Sequence, residues 1–177
     1  RAVALLAAQL RRATGRADVD AVREAIGVLD VDWARTTAAE RRRLVAEAMA
    51  AAGRATALVP ARIEVPFNDA AQEVVAAART DARRSQRLAI GAEFNAIDRR
   101  VIDHVTSSQG NFVRDEYGRR IEGFGEEARR IVGTGLEEGL GRDDIAQALE
   151  QAARTALVDR APFYWETVAA SFIAQGR

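Results

Sequence analysis

The strongest constraint on this chain is the spacing and the size of its apolar residues. Val19, Val22, Ile26 and Leu29 stand at i, i+3, i+7 and i+10, the period of one helical face. Val3, Leu6 and Leu10 keep that period before them, and Leu44, Val45, Ala48 and Met49 keep it after. Alanine dominates an apolar share of 48%, while aromatic residues supply 6%. Small side chains bury little area each but let helices approach closely. The expected fold class is therefore mainly α: an elongated helical domain with long helices and, from one segment described below, a small β-hairpin.

Punctuation suggests where the helices begin and end. Gly15 reads as a stop and Asp18 as the N-cap of a second helix. Thr37 and Glu40 have capping-box spacing, and Gly53 reads as the end of the helix they open. In "ALVPARIEVPF" two prolines push their preceding valines toward extended backbone, and Ile63 and Val65 alternate with Arg62 and Glu64. The expected organisation is an N-terminal helical region over 1–55, an extended linker over 56–68 and a second helical region over 69–177.

Asn68 or Asp69 would cap a helix running to about Ser107 and bent near Gly91. It carries Arg79, Arg83 and Arg87 at i, i+4 and i+8, a positive stripe suited to an acidic protein surface or to transient contact with passing DNA. Phe112-Val113-Arg114 and Arg119-Arg120-Ile121 flank Asp115 to Gly118, which reads as a hairpin over 111–122 with a turn ending in glycine. Phe112 and Tyr117 would then be docking residues. So would Phe163, Tyr164 and Trp165, the densest aromatic cluster, at the start of a last helix opening around Asp159 to Pro162.

Gly133 and Gly135 lie inside the stripe Ala128, Ile131, Val132, Leu136. Each costs a helix roughly 1 kcal/mol, and close approach of a neighbouring backbone is the expected return. Gly139 is placed to end that helix in the left-handed conformation, and Gly141 or Arg142 to open the next. Ile145 and Leu149 would face inward together.

Chemistry-bearing patterns are sparse. Basic and acidic residues balance at 26 each, and every basic residue is arginine, as a GC-rich genome would produce. That balance argues against wholesale coating of nucleic acid. The absence of cysteine excludes disulfides and thiol chemistry. The single histidine, His104, has no nucleophile or second ligand near it in sequence. No phosphate-binding glycine loop, G-x-S-x-G elbow or H-E-x-x-H occurs. No apolar run reaches the ~20 residues of a bilayer span, so no membrane is expected. Nor are an enzyme, a metal or a cofactor. The opening at Arg1 without methionine, and the close just after an apolar helical pattern, read as a piece of something longer.

"GLEEGLGRDDIAQALEQ" resembles the phage head morphogenesis family, the Mu F-like minor head proteins. The residues that carry the resemblance are Gly135, Leu136, Gly139, Asp144, Ile145, Ala146 and Leu149, with "FYWETVAASFIAQGR" following where related segments stand. It covers about residues 89–177, and the first ~70 residues have no counterpart. Family members often continue into a segment with aspartate and cysteine, and this chain stops before it. The resemblance implies a minor capsid protein of the virion, beside the portal, acting in head assembly or in packaging or ejection of DNA. Its partners would be portal or capsid proteins in a multi-chain assembly. It implies no catalytic residue. Two other readings remain open: a helical adaptor in a bacterial cytoplasmic complex, and the helical N-terminal part of a larger toxin or enzyme.

Overall fold

The computed structural model describes residues 2–86, 96–158 and 164–175, with backbone alone at 79, 82–86 and 96–98. Those residues form six α-helices, one 3-10 turn and no strand. The helices are α1 (Ala2–Leu29), α2 (Ala38–Thr56), α3 (Val59–Gln86), α4 (Ala96–Glu137), α5 (Arg142–Leu157) and α6 (Tyr164–Gln175), and the 3-10 turn is Trp33–Arg35. The Thr37 capping box forms as expected: Thr37 Oγ1 accepts from the Glu40 amide at 3.2 Å, and the Thr37 amide donates to Glu40 Oε2 at 2.7 Å.

Several stop signals are overridden. Gly15 and Asp18 lie inside α1, because Leu6, Leu10, Ala17, Ala21, Ala25 and Leu29 make one buried face through them. Gly53 likewise lies within α2, which runs on to Thr56. The extended linker is replaced by a turn at 57–58 and by α3. Pro60 sits in the first helical turn, where its missing N–H costs nothing. Pro66 is interior and costs about 3 kcal/mol. Ile63 and Phe67 are both fully buried on the helical spacing, worth roughly 1.5–3 kcal/mol each. Together they match or exceed the proline penalty, whereas Val65, the other apolar residue of the expected alternation, is 64% exposed. Asn68 and Asp69 are consequently mid-helix residues rather than caps.

The hairpin over 111–122 is also absent: those residues lie within α4. Ile102, Val105, Gln109, Val113, Tyr117, Phe124, Ala128 and Val132 are buried at steps of three, four or seven, a single helical face. A hairpin would break that face in two. Gly118, the expected turn glycine, is exposed, and a Cβ built on it meets nothing within 4 Å.

The chain divides into two compact units that are not consecutive in sequence, unlike the expected linear division. One comprises Arg1–Thr14, Pro60–Val113 and Ala161–Arg177; the other comprises Gly15–Val59 and Arg114–Arg160. In the first, Leu6, Leu10, Ile63, Phe67, Val105, Trp165, Val168 and Phe172 are each buried. Phe67 and Phe172 stack with ring centroids 4.5 Å apart. Thr106 Oγ1 donates to Asn68 Oδ1 at 3.2 Å, and Arg11 pairs with Glu166. In the second, Trp33, Val45, Phe124, Ile145, Leu149 and Leu157 belong to one core whose remaining buried positions are mostly alanine.

By length and composition the stretch Ala38–Ala78 passes for a membrane-spanning helix. Its helix breaks at Ala57–Leu58, and a break in lipid leaves backbone groups without partners.

Gly118→Ala separates helix from hairpin. In an open helix interior it should stabilise the protein by about 1 kcal/mol, read as a raised midpoint in urea unfolding. A hairpin turn at that residue would give a loss instead.

Candidate functional site

The residues from Gly133 to Leu149 form a helix corner inside the second unit. α4 ends in a Schellman motif: the Leu140 amide donates to the Gly135 carbonyl at 2.7 Å and the Gly139 amide to the Leu136 carbonyl at 3.3 Å. Gly139 has φ +70°, the left-handed conformation expected of it. Gly141 is the N-cap of α5, with Asp143 and Asp144 in the first turn, where negative charge suits the helix dipole. Ile145 and Leu149 are buried as expected. Arg142 Nη2 donates to Asp30 Oδ1 at 2.6 Å, tying the start of α5 to the chain just past α1.

The two glycines before the corner differ. A Cβ on Gly135 would lie 2.9 Å from Ile145 Cγ1, so glycine there admits the isoleucine of the next helix. The close neighbour is a side chain rather than the backbone expected. A Cβ on Gly133 would meet nothing within 4 Å.

The second unit also holds a polar cluster that sequence reasoning missed. Asp18, read as a cap, is buried on α1, and Tyr117 Oη donates to its Oδ1 at 2.7 Å. The Arg120 guanidinium stands 5.7 Å from the Tyr117 ring centroid. Arg120 Nε and Arg119 Nη2 each donate to Glu116 at 2.8 Å. Burial pushes the Glu116 carboxyl up, but hydrogen bonds from Arg119 and Arg120 and their charges outweigh it and hold it below the ordinary value. The available signal was a lone acid on an otherwise apolar helical face.

The remaining expected site residues are scattered. Phe112 is 48% exposed, whereas Tyr117 is buried against Asp18. Trp165 is packed in the first unit's core, with Tyr164 edge-on at 4.8 Å. Phe163 and Arg87 lie outside the described residues, as do the side chains of Arg79 and Arg83, whose backbone stands in α3. His104 is exposed on α4. Among the described residues no group of three or more histidine, cysteine or acidic side chains is gathered to hold a metal ion.

No protein-family model matches this chain, and no curated protein or solved structure is significantly similar to it. What can be said of the corner and of the polar cluster rests on their own geometry. The first sets where two helices meet. The second joins α1 to α4 through a phenol and a carboxylate.

Three alanine variants test the corner. Gly139→Ala should cost about 1–2 kcal/mol, the strain of a Cβ at positive φ. Gly135→Ala should cost about 1–3 kcal/mol by overpacking Ile145. Gly133→Ala, two residues earlier, should instead gain about 1 kcal/mol. Urea unfolding of all three reads the signs, and a loss at Gly133 or a gain at Gly135 contradicts the packing described.

Glu116 gives a pH dependence. Its folded-state pKa is depressed, so its contribution to stability is present above the ordinary carboxylate value and is lost as pH falls through the folded value. The stability difference between the native chain and Glu116→Gln should therefore shrink from about pH 7 to about pH 3. A constant difference across that range would show that the arginine contacts do not favour the carboxylate.

Proposed function

We propose that this chain is a structural minor head protein of a tailed phage or phage-like particle. It docks beside the portal and acts in head assembly or in packaging or ejection of DNA. The observation that supports this most is local. Gly135, Leu136, Gly139, Asp144, Ile145, Ala146 and Leu149, the residues that carry the resemblance, fall together in one helix corner with its own glycine logic. Gly135 admits Ile145, Gly139 reverses the chain and Leu149 closes the core.

A docking role also suits the surface. Leu5, Val19, Leu58, Val65, Val101 and Phe112 are large apolar side chains more than two-fifths exposed in the isolated chain. Phe112 is the better probe of docking, because Trp165 belongs to the core and its truncation would damage folding.

Particles assembled in the strain that encodes this chain should contain it. Phe112→Ala should lower its amount per particle at unchanged thermal stability, and His104→Gln should leave incorporation unchanged. A stable monomer that neither enters heads nor binds the portal protein would overturn the proposal and favour an adaptor.

A further inference from the structure

The first unit carries a groove of about 480 Å³ between α1 and α3. Leu6, Val74 and Ile173 give it an apolar lining, and Leu5, 51% exposed, stands at its lip. Along α3 its edge is Asp69, Glu73, Ala77 and Asp81, spaced four residues apart. That row spans twelve helical steps, about 18 Å at 1.5 Å per residue. Among the described residues no basic side chain lines the groove. Asp69 and Glu73 have no ion-pair partner among the described residues.

We propose that this groove docks an amphipathic α-helix of a partner protein, apolar face down, with arginine or lysine flanking its anchors. The proposal goes beyond the head-protein reading and holds for any docking role of the chain. Three observations select this occupant. The groove follows one helix for about three turns, the length over which a bound helix presents anchors at i, i+4 and i+7. Alanine at 70, 77 and 78 lets a second backbone approach closely. Acidic groups one turn apart favour basic groups at the same spacing on the partner, which steer encounter and fix register. The same acids repel nucleic-acid phosphate and anionic lipid headgroups.

The test uses the whole chain and labelled helical peptides of about 16 residues, enough to span the groove. One peptide carries leucines at i, i+4 and i+7 flanked by arginine, one replaces each arginine by glutamate, and one scrambles the first. Fluorescence anisotropy should show micromolar binding of the first peptide alone. Asp69→Asn with Glu73→Gln should weaken it and flatten its dependence on salt. Ala77 is exposed, so Ala77→Trp should block the groove without touching the core and weaken binding about tenfold or more. Circular dichroism confirms that each variant is folded. Equal binding of the scrambled peptide, full binding to folded Ala77→Trp, or no binding of any peptide to the native chain would each overturn the proposal. So would a native dimer that Ala77→Trp dissociates, which would make a second copy the occupant.

Discussion

One backbone angle organises the second unit. Gly139 at φ +70° ends a 42-residue helix and turns the chain into α5. The placement matters as much as the turn. Gly135, one helical turn earlier, leaves the room that Ile145 occupies. Stop and contact are thus parts of one device: the Schellman bond from Leu140 returns to the carbonyl of the same Gly135 whose missing Cβ admits the next helix. Moving the stop by one residue would rotate α5 relative to that gap and carry Leu149 away from the core.

The corner was legible from sequence because local and tertiary preferences agree there. Glycine is favoured at the cap for its backbone and at the crossing for its size. Elsewhere they conflict, and burial prevails. Gly118 and Pro66 carry strong turn and strand signals, yet each lies within an uninterrupted helix. Val113, Tyr117 and Phe124 in one case, and Ile63 and Phe67 in the other, bury on helical spacing and outweigh a local penalty of about 1–3 kcal/mol. Their spacing was present in the sequence, but alternating Arg62-Ile63-Glu64-Val65 and Arg119-Arg120-Ile121 competed with it over short windows. Only the longer period decides.

Asp18 was less accessible. Its short carboxylate side chain fits a helix N-cap, and the sequence gives no sign that Tyr117, 99 residues later, would donate to it. A buried hydrogen bond of this kind specifies which faces of two helices meet, since any other rotation leaves a polar group unpaired. The alanines around it cannot do so, because they fit many registers equally well. Polar pairing supplies the specificity in a core where shape supplies little, and the docking surfaces proposed above would need a framework with that definition.

The alanine interior has a consequence for how such a chain changes over generations. Ala21, Ala25, Ala48, Ala52, Ala128 and Ala153 have no exposed surface. Every single-base change of an alanine codon that alters the amino acid, except the one to glycine, encodes a larger residue. Drift at these sites therefore inserts volume far more often than it removes it, and insertion into a close-packed contact costs about 1–3 kcal/mol. The hazard for this protein is crowding rather than cavities. Its lineages should diverge freely on arginine-rich outer faces while the alanine seams stay nearly fixed.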